Sequence, residues 1–284
     1  MKIVVCIKQV PDTKGGVQFN PDGTLNRAAM LTIMNPDDKA GLEAALRIKD
    51  ATGAEVTALT MGLPKADDVL REAMAMGADK GIPVTDRVLG GADTWATSTT
   101  IAGALRNIDY DMIITGRQAI DGDTAQVGPQ VAQKLGLNQV TYAEEILKIE
   151  NGVATIRRHI DGGVEVVEAP LPVVITVNGS AAPCRPQNAK LVMKYKRATC
   201  PMERPAEGTP YDYLYEERPY LTLNQWSVAD VDGDANQCGL AGSPTKVKAV
   251  KNIVFQAKES KTLTAKDADV ESLIKELLDE KIIG

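Results

Sequence analysis

The sequence predicts an α/β fold: a mostly parallel sheet with helices on both faces, then an antiparallel hairpin and an extended C-terminal arm. Three observations predict it. Short β-branched runs alternate with helix-length apolar stripes through residues 1–180, the pattern of βαβ crossovers. "IRRHIDGGVEVVEAP" reads as two strands joined at a Gly-rich turn. Beyond residue 180 the periodicity gives way to a stretch rich in Pro, Tyr and charge, too long for an ordinary loop unless it lies on another surface.

Taken in order, "KIVVCIKQV" is a first buried strand, closed by Pro11 and Asp12. "DDKAGLEAALRIKDATG" sets Ala40, Leu42, Ala44, Ala45 and Ile48 at helical spacing and stops at Gly53. "AEVTALTMG" is the next strand, and "KADDVLREAMAMGAD" a helix with Val69, Leu70, Ala73 and Met76 on one side. "KGIPVTD" is a short strand, "ADTWATSTTIAGALRNI" a loop entering a helix, and "YDMIITG" a strand. "TAQVGPQVAQKLGL" is helical, with Val127, Val131 and Leu135 at i, i+4 and i+8. Ligands of such sheets sit beyond the carboxyl ends of the strands, which brings residues 9–13, 60–64, 85–98 and 116–126 to one rim. A last helix, "DADVESLIKELLDEKII", carries the stripe Val270, Leu273, Ile274, Leu277 and Leu278, suited to its own domain or to a partner chain.

Composition narrows the function. The 284 residues are 44% hydrophobic and 25% charged, with net charge −6, against a basic surface for nucleic acid. No apolar run nears the roughly 18 residues of a membrane span, and the N-terminus lacks a secretory pattern, so a cytoplasmic protein is expected. Cys6, Cys184, Cys200 and Cys238 are scattered without metal-binding spacing, and His159 is the single histidine, which leaves little for a metal site or a histidine-based triad. No side chain stands out as a general acid or a nucleophile.

Two Gly-rich helix entries remain. In "GRQAIDGDTAQVGP" (116–129), Gly122, Asp123, Thr124, Ala125 and Gln126 offer backbone N–H groups at a helix start, with a hydroxyl from Thr124 and an amide from Gln126. Asp121 and Asp123 point instead to a metal, but the further oxygen ligands of a calcium loop are missing. Simple helix capping by Asp123 or Thr124 is the third reading. "GGADTWATSTT" (90–100) repeats the pattern, with Asp93 or Thr94 as cap and Thr97 near the first turn. Two such starts on one rim favour a dinucleotide. Asn35, before Pro36, reads as a turn and cap, and beside those loops as a contact to an adenine or ribose edge.

Several segments together resemble the β subunit of electron transfer flavoprotein: "IKQVPDT", "MNPDD", "AMAMGAD", "GRQAIDGDTAQVGP", and the hairpin with Arg158, Asp161, Gly162, Gly163, Glu165 and Pro172. The resemblance runs from Met1 to Gly284. It implies an adenine-nucleotide-binding domain over residues 1–185 and, over 186–284, a partner-recognition loop and an arm wrapping the α subunit. Carried over, the nucleotide-lining positions are Cys6, Asn35 to Asp38, Met61, and Gly122 through Val127 and on to Gly128, Gln130 and Val131. The loop "DGDTAQVGP" and the stretch "GADTWATS" are similar to the electron-bifurcating branch, which holds FAD where the other branch holds AMP. Asp93, Thr94 and Thr97 then become candidates for the diphosphate or ribityl part, or for contacts to NADH. That branch implies NADH as donor, with electrons passing to ferredoxin or flavodoxin and, through the α-subunit FAD, to an acyl-CoA dehydrogenase. "RPQNAKLVMKYK" is similar to the family's dehydrogenase-recognition loop, which points to Gln187, Asn188, Ala189, Lys190 and Leu191.

Overall fold

The computed structural model describes residues 1–12, 31–231, 233–246 and 260–283. Met1–Lys246 form one compact unit and Val247–Gly284 a second. The stretch 186–246 lies within the first of these units.

The elements run β1 (Lys2–Cys6), β2 (Gln9–Pro11), β3 (Thr32–Met34), α1 (Pro36–Thr52), β4 (Glu55–Met61), α2 (Asp67–Met76), β5 (Lys80–Val84), α3 (Thr94–Arg106), β6 (Met112–Gly116), α4 (Val127–Leu135), β7 (Asn138–Glu150), β8 (Val153–Ile160), β9 (Gly163–Pro170), β10 (Val173–Val177), α5 (Ala189–Tyr195), α6 (Tyr213–Glu217) and α7 (Asp267–Asp279), with short 3-10 turns between. Eight strands form one sheet in the order β5-β4-β1-β6-β10-β7-β8-β9, and β2 pairs with β3 separately. The strands from β5 to β7 are parallel neighbours; β7, β8 and β9 are antiparallel. The α/β class, the hairpin at Asp161–Gly162 and the closing strand β10 are as the sequence predicts. Strand β7 was not foreseen: its long run continues out of the parallel sheet to pair with the hairpin.

Local chemistry sets the boundaries. Helix α1 opens with Pro36 at its first turn and Asp37 and Asp38 beside its positive end, and stops at Gly53, whose φ of 73° a side chain would resist. The central strands β6 and β10 are buried along their whole length, so Ile113, Ile114, Val174 and Ile175 face helices on both sides of the sheet. Burying each such side chain contributes about 1.5–3 kcal/mol. Ile3, Val5 and Ile114 pack with α1 and α2, whereas Val4, Cys6, Leu59 and Ile113 pack with α3 and α4.

This topology creates a switch point. From β1 the chain passes over α1 to β4 on one side, while β6 pairs with β1 on the other. The crevice beyond the carboxyl ends of β1 and β6 is where an open α/β sheet binds its ligand.

Candidate functional site

Loops after β1 and β6 line the crevice, with the start of α1 between them. Asp38, buried in the first turn of α1, accepts from the Lys8 backbone N–H at 2.8 Å and the Gly116 N–H at 3.0 Å. Asn35 donates to the Gln118 carbonyl at 2.7 Å and accepts from the Ile120 N–H at 3.1 Å. The Asp38 side chain thus joins the two loops, and the Asn35 amide ties the start of α1 to the loop after β6 through backbone groups. Burial pushes the Asp38 carboxyl up to about 7, against the opposing pull of Asn35 and of the Lys8 and Gly116 N–H groups. Cys6 lies at the end of β1, and burial, with the charge of Asp38, pushes its thiol up to about 12. It is therefore a packing group and not a nucleophile at neutral pH.

The loop 117–126 resolves its own electrostatic conflict. Asp121 receives the Lys8 ammonium at 2.7 Å, and Asp123 accepts the Gln118 amide at 2.8 Å. Neither carboxylate is left to repel an anion unopposed. Arg117, the one cation in the stretch, turns away to Asp37 at 3.2 Å and over the Tyr142 ring. Asp123 and Ala125 both take positive φ, 49° and 51°, a conformation that side chains disfavour and that persists where surrounding structure or function requires it. Gln126 then enters α4 with no side-chain cap, leaving the first-turn N–H groups without the usual carboxylate or hydroxyl. Gly122, Asp123, Thr124 and Gln126 are exposed around that helix end.

Close packing holds α4 in this position. A Cβ on Gly128 would come within 2.6 Å of Thr176 Cγ2 and 2.8 Å of Thr115 Oγ1, so only glycine lets the helix start approach β6 and β10 this closely. Val131 is buried, Val127 and Met61 pack against the same cluster, and Cys6 shares it. The structure therefore gathers Cys6, Met61, Val127 and Val131 on the α3/α4 face.

Helix α3 begins beside α4. The Thr94 hydroxyl donates to Gln126 Oε1 at 2.8 Å, Gln130 Nε2 lies 3.4 Å from the same hydroxyl, and Ser98 donates to Gln130 Oε1 at 3.0 Å. Asp93 caps its own helix through the Ala96 N–H at 3.0 Å, and its other oxygen accepts from the Thr245 N–H and hydroxyl at 3.0 and 2.7 Å. Burial would raise the Asp93 carboxyl, but these donors hold it below the usual carboxylate range. Thr97 is half-buried in the first turn. Thr94 joins the α4 site, whereas Asp93 is occupied by its own chain. Lys8, Gln118 and Gln130 complete the arrangement; sequence reading gave Lys8 and Gln118 no role, because their partners lie across the crevice.

Gln187, Asn188, Ala189 and Lys190 are exposed, and Leu191 is half-buried. Asn188 caps α5 through the Lys190 N–H at 2.9 Å, and its backbone N–H donates to Ala75 of α2. His159 sits 3.7 Å from Glu144 on β7, with Arg157 paired to Glu145 and Arg158 to Glu165. Among the described residues there is no group of three or more His, Cys, Asp or Glu placed to hold a metal ion, and no helix long and apolar enough to cross a membrane.

Residues 22–200 match the electron transfer flavoprotein domain. The chain belongs to the electron transfer flavoprotein family, as a beta subunit. It is 44% identical over 251 residues to the acryloyl-CoA reductase electron transfer subunit gamma of Anaerotignum propionicum, covering 87% of this chain and 86% of that one. It is 43% identical over 249 residues to the electron transfer flavoprotein subunit beta of Clostridium acetobutylicum, with the same coverage of 87% and 86%. The caffeyl-CoA reductase-Etf complex subunit CarD of Acetobacterium woodii is 43% identical over 250 residues, again 87% of this chain and 86% of that one. This beta subunit is thus an electron-transport protein of a flavin-associated family, and the resemblance read from its motifs holds over most of its length.

Proposed function

We propose that this beta subunit pairs with an alpha subunit and holds FAD at the start of α4, in a complex that oxidises NADH. The observation that carries the reading is the uncapped α4 start, reached through positive-φ Asp123 and Ala125, with both loop aspartates already partnered. Such a helix end favours a phosphate group. The residues present fit a dinucleotide: the uncapped α4 start and the Thr124 and Gln126 side chains for the polar part, the Gly122 and Asp123 N–H groups being bonded to the Ala119 carbonyl, and Cys6, Met61, Val127 and Val131 as an apolar wall. FAD, when bound, supplies the one- and two-electron chemistry. The chain's own residues bind and orient it, and Thr94, its hydroxyl met by the Gln130 amide, holds the Gln126 side chain.

The pair would take electrons from NADH and deliver them to ferredoxin or flavodoxin and, by way of the alpha subunit, to an acyl-CoA dehydrogenase. Similarity to subunits named for acryloyl-CoA and caffeyl-CoA reductases supports an acyl-CoA-linked acceptor. The alpha subunit as partner is supported by α7, whose Val270, Leu273, Ile274 and Leu278 stay 40–50% exposed along one face.

Nucleotide content of the purified alpha–beta pair tests the proposal. The expected result is FAD on both subunits and bleaching of the flavin absorbance on titration with NADH. One FAD together with AMP would assign the site to the structural nucleotide of the other branch and overturn the reading.

A further inference from the structure

A chain of hydrogen bonds joins the buried face of α3 to the start of α4. The Ser98 hydroxyl, with no exposed surface, reaches Gln130 Oε1 at 3.0 Å. Gln130 Nε2 meets the Thr94 hydroxyl at 3.4 Å, the longest link, and Thr94 donates to Gln126 Oε1 at 2.8 Å. The chain ends at Gln126 Nε2, on an exposed residue, with no protein partner among the described residues.

Such a chain has a direction. A hydroxyl gives one proton, and a carboxamide has an accepting oxygen at one end and a donating nitrogen at the other. Fixing the first donor therefore fixes the last. Reversed, Gln130 would turn its nitrogen to Ser98, and Thr94 would donate to Gln130 and accept from Gln126. The Gln126 oxygen would then face outward. Reversal needs another acceptor for the Ser98 proton, and the Trp95 carbonyl lies 2.9 Å from Ser98 Oγ. That carbonyl already accepts the Thr99 hydroxyl at 2.8 Å. It also takes the Thr99 N–H of the α3 ladder, which uses both of its lone pairs. The Ser98 proton is left to Gln130, and Gln126 keeps its N–H2 group outward.

We infer that Ser98 is a positioning residue for the nucleotide site: through Gln130 and Thr94 it holds the Gln126 amide with its nitrogen outward, toward an acceptor oxygen of the nucleotide. This rests on the nucleotide reading proposed above. An outward donor agrees with a helix start, whose own N–H groups favour an acceptor, whereas an outward oxygen would oppose it. Ser98 is itself fully buried, so its effect on the ligand passes through the chain.

The test is a double-mutant cycle on the intact alpha–beta pair. FAD is titrated into the pair after removal of its nucleotides, and binding at the beta subunit is followed. Ser98→Ala is expected to weaken FAD binding about fivefold, and Gln126→Ala at least as much. Together they should weaken it no further than Gln126→Ala alone, because Ser98 has nothing left to orient. Ser98→Thr keeps the donor and should restore affinity to within about twofold of the unmodified pair. Gln130→Leu cuts the chain in the middle, and its cycle with Gln126→Ala should show the same coupling. That second cycle keeps the test sound if Ser98→Ala folds poorly. Losses that add in both cycles make Ser98 and Gln130 packing groups and overturn the inference. So does unchanged affinity in both Ser98→Ala and Gln130→Leu, or a Ser98→Thr pair as weak as Ser98→Ala. An unmodified pair that holds AMP sinks the FAD reading alone, and the same cycles run with AMP then decide the role of Ser98.

Discussion

Helices α3 and α4 begin side by side on the same face of the sheet, yet they treat their free N–H groups in opposite ways. The α3 start is finished by its own chain: Asp93 caps it, the Asp93 N–H donates to Ser243 Oγ, and Thr245 donates to the remaining carboxylate oxygen. The α4 start has no side-chain cap and is approached through positive-φ residues. Both read as Gly-rich loop into hydroxyl-bearing helix. The difference is that a capped start contributes stability to the free protein, while an uncapped one keeps its donors for something else. Of these two helix starts, only the second lacks a side-chain cap.

The comparison can be broken most severely at Gly128. Gly128→Ala places a methyl against Thr176 and Thr115, so the first turn of α4 must shift; overpacking of this kind costs about 1–3 kcal/mol. The expected outcome is a melting temperature several degrees lower and loss of bound nucleotide, measured by thermal unfolding and by absorbance after gel filtration. Unchanged retention would place the ligand elsewhere. Thr124→Val with Gln126→Ala sharpens the contrast: nucleotide affinity should fall about tenfold, the equivalent of about 1.4 kcal/mol, with little change in the melting of nucleotide-free protein. Asp93→Ala should do the reverse, costing about 1 kcal/mol of stability through the lost cap while nucleotide affinity stays within about twofold, an outcome read from denaturant unfolding and equilibrium titration.

The smallest effect is a titration. Asp93 and Asp38 are carboxylates at helix starts, one held below the usual range by its donors, the other pushed up to about 7 by burial. The signs are opposite. The contribution of Asp93 is present at neutral pH and is lost as pH falls below the ordinary carboxylate value. Ionisation of Asp38 opposes folding, so its penalty is absent in acid and grows as pH rises through about 4 to about 7. Carboxyl carbon shifts followed by NMR should show Asp38 titrating at about 7, and Asp38→Asn should remove that component from the pH dependence of stability.

Much of this was legible in the sequence. The parallel sheet followed from strand and helix periods, and the α4 loop from a Gly-containing stretch leading into an amphipathic stripe. Strand β7 was not legible, because "NQVTYAEEILKIE" alternates too irregularly to declare a strand and its register shifts occur only against its neighbours. With β7 in place, Glu144 and Glu145 meet His159 and Arg157 across the sheet, while Arg158 pairs with Glu165 within the hairpin. Asn35 and Asp38 were recognised as site residues, but their work as staples between loops more than eighty residues apart in sequence depends on tertiary geometry. Asp93 could not be separated from Asp123 as a cap, since its second set of partners, Ser243 and Thr245, arrives from the far end of the compact unit.

The stretch that supplies those partners first runs along the outer side of β5. Trp226 forms a parallel bridge to Val84, its N–H donating to the Pro83 carbonyl and its carbonyl accepting from Thr85. An exposed edge strand is an open template on which other chains can add and aggregate. At this end of the sheet, the protein occupies the template with a short piece of itself. The tail end of the compact unit thus guards solubility as well as completing a helix cap.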